Sequence, residues 1–140
     1  MRIEKRAPAR ALLAGILVAI TASAAACGFC IEDRVAAVYD QALVDKSLAQ
    51  HRYMAFFAIE GAVNVDEATR LALLAALNAS GASRGSARLS LESAACSVAY
   101  DPAQTDLAKL AAVAGRALAS RGLTLNALRI IDARGRLREP

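Results

Sequence analysis

Arg88-Leu89-Ser90-Leu91-Glu92-Ser93-Ala94-Ala95-Cys96-Ser97-Val98-Ala99-Tyr100 is the stretch on which the fold turns. Leu89 and Leu91 alternate with Arg88, Ser90 and Glu92, the period of a half-buried strand. Cys96, Val98 and Tyr100 alternate with Ser97 and Ala99, and Ser93-Ala94-Ala95 between the two runs reads as a short turn. Two such runs joined in this way are a hairpin. Asp101-Pro102 ends the second strand, because proline has no N–H to give to the ladder.

Each flank of the hairpin carries a helix and then a strand. Upstream, Tyr53–Glu60 is a β-forming run with Phe56, Phe57 and Ile59, apolar on both faces and ended by Gly61. Asn64 with Glu67 three residues later has the spacing of a capping box, predicting a helix to about Asn78 with Leu71, Leu74, Ala75 and Asn78 along one stripe. Downstream, Thr105 or Asp106 opens a helix with Leu107, Leu110, Val113, Ala117 and Leu118 on its stripe, and Gly122 closes it. Leu125–Asp132 is the last strand, with Leu128 and Ile130 facing one way, and the residues from Arg134 on read as a polar tail.

From Tyr53 the order is therefore strand, helix, strand, strand, helix, strand. That is an α+β chain of two βαβ halves, the ferredoxin-like βαββαβ plan: a four-stranded antiparallel sheet with two helices on one face. If Phe57 and Ile59 face those helices, Met54, Phe56, Ala58, Ser97 and Ala99 lie on the other face, and Met54 and Phe56 are too apolar for bare surface. An extra N-terminal helix, Ile31–Gln50, with Ile31, Val35, Val38, Ala42 and Ala49 on one stripe, is expected to cover that face, unless a partner does.

The first 26 residues have the layout of a signal peptide: Arg2, Lys5, Arg6 and Arg10, then an apolar run from Ala11 to Ile20, then small residues to Ala26. The apolar run is short for a membrane span, which needs roughly 20 residues. An uncleaved anchor is the alternative. The expected organisation is a signal peptide over 1–26, a cysteine-headed helix over 27–51 and a ferredoxin-like domain over 52–140, in a protein that is exported to the periplasm or cell envelope, or secreted. The chain has 17 Lys+Arg against 13 Asp+Glu. With the leader go four basic residues and Glu4, leaving 13 basic and 12 acidic residues, a net charge of +1. The basic balance belongs mostly to the leader and gives no ground for a nucleic-acid partner.

Three cysteines remain after the leader: Cys27, Cys30 and Cys96. Cys27-Gly28-Phe29-Cys30 is a CxxC pair at the head of a predicted helix, where the dipole favours thiolates. Glu32 and Asp33 in the first turn act in the opposite sense. Thiolates bind soft metals and exchange disulfides. The readings of the pair are a soft-metal or redox site, a local disulfide, or a lipobox in which Cys27 is diacylated and tethers the chain to the membrane. The preceding Ala-Ala-Ala lacks the usual lipobox Leu. Cys96 reads as a small buried hydrophobe, or as a disulfide partner of Cys30 should Cys27 be lipidated. His51, the only histidine, reads as solvated. No Ser-His-Asp set, phosphate loop or pair of catalytic carboxylates is present, so the expectation is a non-enzymatic protein.

Residues from about Arg52 to Asp132 resemble the heavy-metal-associated domain of copper chaperones, metal-transporting ATPases and periplasmic mercury-binding proteins. The resemblance rests on Phe57-Ala58-Ile59-Glu60-Gly61, Arg88-Leu89-Ser90-Leu91-Glu92 and Val98-Ala99-Tyr100-Asp101-Pro102. In that family the loop after the first strand reads Gly-Met-x-Cys-x-x-Cys and holds the metal. Here it is Gly61-Ala62-Val63-Asn64-Val65-Asp66-Glu67, with Asn64 and Glu67 at the cysteine positions. The resemblance thus implies the fold, and a soft ion of the Cu(I) or Hg(II) type as cargo, but moves the expected ligands to Cys27 and Cys30. A metal transporter or another exported protein is the implied partner. The alternatives are a structural or interaction module that has lost the metal, and a thiol–disulfide protein without the thioredoxin-type βαβ setting.

Overall fold

The computed structural model describes residues 30–140. The expected signal peptide, its cleavage site and Cys27 lie outside them. In chain order the elements are α1 (Ile31–Ala37), α2 (Gln41–Ala49), β1 (Tyr53–Glu60), α3 (Glu67–Ala79), β2 (Arg88–Ser90), β3 (Ala95–Tyr100), α4 (Leu107–Leu118), β4 (Thr124–Ile131) and β5 (Leu137–Arg138). They form an α+β fold around a five-stranded antiparallel sheet in the order β2-β3-β1-β4-β5.

β1 lies in the middle of the sheet and is buried from Met54 to Ile59, which is why its sequence is apolar without alternation. Its odd residues Ala55, Phe57 and Ile59 join Cys96, Val98, Leu73, Leu77, Leu110 and Leu118 in the larger core, beneath α3 and α4. Its even residues Met54 and Phe56 join Ala95, Ala99, Ile131, Val38 and Val44 in a smaller core beneath α1 and α2. The second sheet face is thus covered from within the chain, by the N-terminal helices.

Several local expectations change. The single helix Ile31–Gln50 is two helices. Asp40 breaks it: one carboxylate oxygen accepts the Leu43 N–H at 3.0 Å to cap α2, and the other accepts from Arg88 Nε at 2.8 Å. A short carboxylate that competes for backbone N–H groups favours a helix start over a helix interior. Of the expected stripe only Val38 is buried, and Ile31, Ala42 and Ala49 are exposed. α3 begins at Glu67, capped by Asp66, whose Oδ1 accepts the Thr69 N–H at 2.7 Å; Asn64 and Glu67 form no capping box. The stripe follows that start: Thr69, Leu73, Ala76 and Leu77 are buried, whereas Leu71 is 58% exposed. Ser93–Ala95 is not the hairpin turn either. β2 stops at Ser90, Leu91 turns into the core, and Ala94 closes the turn with φ 46°.

Two more differences concern β4. Its register against β1 shifts by one residue, with Phe57 opposite Ala127 and Phe56 opposite Arg129, so Leu128 is an inserted residue. A bulge of this kind re-aims the side chains beyond it. Leu128 and Ile130 therefore do not form one simple face, and Arg129 emerges on the side of Phe56, under α1. The polar tail is a fifth strand. Asp132, 2% exposed, accepts the N–H groups of Arg134 (2.9 Å) and Arg136 (3.1 Å), and its second oxygen accepts from Arg136 Nε (2.9 Å) and Arg138 Nε (2.8 Å). That set of bonds folds the chain back on itself and pins β5 to β4.

Candidate functional site

Cys30 is the residue before α1 and its N-cap. It has extended backbone angles, and its Sγ accepts the Asp33 N–H at 3.4 Å. The sulfur thus takes up one of the first-turn N–H groups that have no partner within the helix. The side chain is exposed. The carboxylate of Glu32, two residues on, is paired with Arg129, at 3.1 Å between Nη2 and Oε1. The β4 bulge is what delivers Arg129 to this side of the sheet. The expected partner thiol, Cys27, is outside the described residues.

Cys96 has a different character. It lies in β3 opposite Phe57 and Leu89, fully buried in the larger core. Burial pushes its thiol up to about 12, so it stays protonated and unreactive at any ordinary pH. The Cys30–Cys96 disulfide considered from sequence does not form: both thiols are free. Cys96 faces α3 and α4, whereas Cys30 heads the helix packed on the opposite face, so the sheet separates them.

The loop between β1 and α3 holds no sulfur, and its Asp66 is committed to the cap of α3. That cap, with the Arg121 charge nearby, holds the Asp66 carboxyl below its usual value. Near the loop is an open cleft of about 450 Å³, bordered by Gly61, Val63, Leu91, Ala94 and Arg34 of α1. Glu60 and Glu92 stand at its edge, and Glu60 accepts from Asn126 Nδ2 at 3.1 Å. Arg34 is one helical turn from Cys30, its N–H donating to the Cys30 carbonyl at 3.2 Å. The arrangement thus sets an exposed, helix-capping thiol one turn from a cleft of mixed charge. Among the described residues no three His, Cys, Asp or Glu side chains gather into a metal-holding group, and no helix is long and apolar enough to cross a membrane.

His51 is exposed, as expected, but its role is in the backbone. It occupies the left-handed region at φ 56°, just past the end of α2. Its N–H donates to the Leu48 carbonyl at 3.0 Å and the Arg52 N–H donates to the Ser47 carbonyl at 2.9 Å, the two bonds of a Schellman cap. Sequence reasoning missed three contacts that fix the position of Cys30: Arg129–Glu32, Arg88–Asp40 and Ser97 Oγ to the Val38 carbonyl at 2.9 Å. The only available signal was Arg88 and Ser97 on the strand face opposite the leucines. Neither a family model, nor a curated protein, nor a solved structure matches the chain.

Proposed function

We propose that this is an exported, non-enzymatic metal-handling protein that binds a soft ion of the Cu(I) or Hg(II) type between the thiolates of Cys27 and Cys30 and passes it to a metal transporter or another exported protein. The observation that carries this reading is the exposed Cys30 thiol capping α1, three residues after Cys27 in the sequence. Two thiolates at that spacing suit ions that prefer two soft donors. The fold supports the reading. Strand order β2-β3-β1-β4, with α3 and α4 on one face, is what a ferredoxin-like βαββαβ domain related to the heavy-metal-associated family would have, with α1, α2 and β5 added. The ligands would then sit on the added helix instead of the loop after β1.

Titrating the reduced protein with Cu(I) against a competing chelator tests this. The expected result is one tight site per chain that weakens at least tenfold in Cys30→Ser and in Cys27→Ser and is unchanged in Cys96→Ala. Equal affinity in Cys30→Ser and the unaltered protein would exclude the site.

A second reading is a structural or interaction module that keeps the fold without the metal. The sulfur-free Gly61–Glu67 loop, with Asp66 used as a helix cap, favours it. Intact mass of protein isolated from the cell envelope separates the two. A diacylglyceryl adduct on Cys27 would remove one ligand and favour the module, tethered to the membrane. Two free thiols and bound copper would favour metal handling.

A further inference from the structure

We infer that α1–α2 is an exchangeable strap, and that two copies of this chain pair by each laying its strap on the other's sheet. The inference does not depend on metal binding. Three observations lead to it. The first is how few of the strap's own side chains are buried. The strap-side core has seven buried residues against fifteen under α3 and α4; the strap gives it two of them, Val38 and Val44, with Val35, Leu43 and Leu48 only partly buried against it and the exposed Tyr39 stacked on Phe56. α1 itself contains no buried residue. An element with few buried apolar contacts is the first to open.

The second observation is the hinge. Only Gln50, His51 and Arg52 join α2 to β1, and His51 is held left-handed, the conformation that favours glycine. Extending these residues swings the strap away from its own sheet and releases the left-handed His51. It breaks at most the three bonds that the hinge N–H groups give to the last turn of α2, from Gln50 and Arg52 to the Ser47 carbonyl and from His51 to the Leu48 carbonyl. A short hinge under conformational strain favours exchange between copies.

The third is that the polar contacts are between the strap and the sheet, and are complementary in charge. Asp40 of α2's cap meets Arg88, Glu32 of α1 meets Arg129, and the Val38 carbonyl accepts from Ser97. All of them, with the apolar contacts, form again when the strap of a second copy occupies the same face. That is why exchange needs no new interface chemistry. Because Cys30 heads the strap, exchange also moves that thiol from one copy's sheet to the other's.

Charge reversal tests the pairing. Asp40→Arg and Arg88→Asp each place like charges at the clamp in a closed monomer and in an exchanged homodimer. In an exchanged heterodimer both clamps are opposite-charge pairs again. The two variants, unfolded and refolded together, should give a one-to-one heterodimer by native mass spectrometry, at least fivefold above either homodimer. A mixture that stays monomeric, or dimers at the statistical ratio, would overturn the proposal. A second measurement uses the unaltered clamp and so does not depend on those variants folding. Refolded at high concentration, the natural chain should contain a dimer by light scattering, and His51→Gly, which accepts the left-handed turn without strain, should lower that dimer fraction at least threefold. A dimer fraction insensitive to His51→Gly would mean association by some other surface and would equally end the idea.

Discussion

At the residue scale, two backbone positions bear most directly on stability. Gly61 has φ 113°, and a Cβ there would lie 2.3 Å from the Gly122 carbonyl oxygen, a backbone atom that has no freedom to retreat. Gly61→Ala should therefore destabilise by about 2–3 kcal/mol from strain alone, visible as a lower denaturation midpoint with unchanged far-UV spectrum below it. The sequence already marked Gly61 as the end of a strand. It held no sign of the close approach to Gly122, which depends on how the α4–β4 turn folds over the head of β1. His51 is the reverse case. Its left-handed backbone was not legible, because histidine has no turn signature of the strength of Asn-Gly. His51→Gly should raise stability by about 0.5–1 kcal/mol in urea unfolding, the left-handed penalty outweighing the extra freedom of glycine in the unfolded chain. A loss of stability would mean that the imidazole itself contributes.

At the scale of elements, the sequence yielded type and order from β1 to β4 but missed the fifth strand, the phase of the helices and the breakpoints, for physical reasons. α3 has leucines at 71, 73, 74 and 77, which supply two competing stripes. The start set by the Asp66 cap and the burial of Thr69 select the one through Leu73 and Leu77. The break between α1 and α2 was hidden because the apolar stripe runs on across Asp40; its carboxylate caps α2 through one oxygen, and the other meets Arg88, 48 residues away and not legible locally. The placement of the strap itself followed from a simple argument, that Met54 and Phe56 need cover. What holds it there is testable at Ser97, fully buried with its hydroxyl donating to the Val38 carbonyl. Ser97→Ala leaves that carbonyl without its partner in an apolar setting and should cost about 1–3 kcal/mol. Hydrogen exchange should place the loss in α1 and α2, with the amides of β1 and β3 keeping their protection. A loss spread evenly over the molecule would mean that strap and sheet unfold as one unit. Cys30, the candidate ligand, was legible from its spacing alone; its support by Arg129 was not, because that support requires the β4 bulge.

For the whole molecule, the titrating groups bound the pH range in which the fold persists, and the sign differs at the two ends. Asp132 is the strongest acid-side group. Burial raises its carboxyl, but the N–H and guanidinium groups of Arg136, with Arg134 and Arg138, outweigh this and bring it well below the carboxylate range. Asp40 is lowered by the Leu43 N–H and Arg88, and Asp66 by the Thr69 N–H. A folded carboxyl more acidic than its unfolded counterpart of about 3.9 stabilises above that pH, and the contribution is lost as pH falls through the folded value. Stability should thus be level down to about pH 5 and fall below about 4, and Asp132→Asn should flatten that fall. The alkaline side rests on Cys96, with Tyr100, whose phenol burial also raises, acting in the same sense. Its folded thiol is raised to about 12 by burial, whereas the unfolded thiol ionises near 9. A raised folded value gives a contribution that is complete below the unfolded pKa and is lost as pH rises toward the folded one. Between pH 9 and 12 the loss runs at about 1.4 kcal/mol per pH unit. Urea unfolding at pH 8 and pH 10.5 should therefore differ by on the order of 2 kcal/mol in the natural chain beyond the difference in Cys96→Ala, where the thiol is gone. If both proteins lose stability equally over that interval, the buried thiol has no part in the alkaline loss.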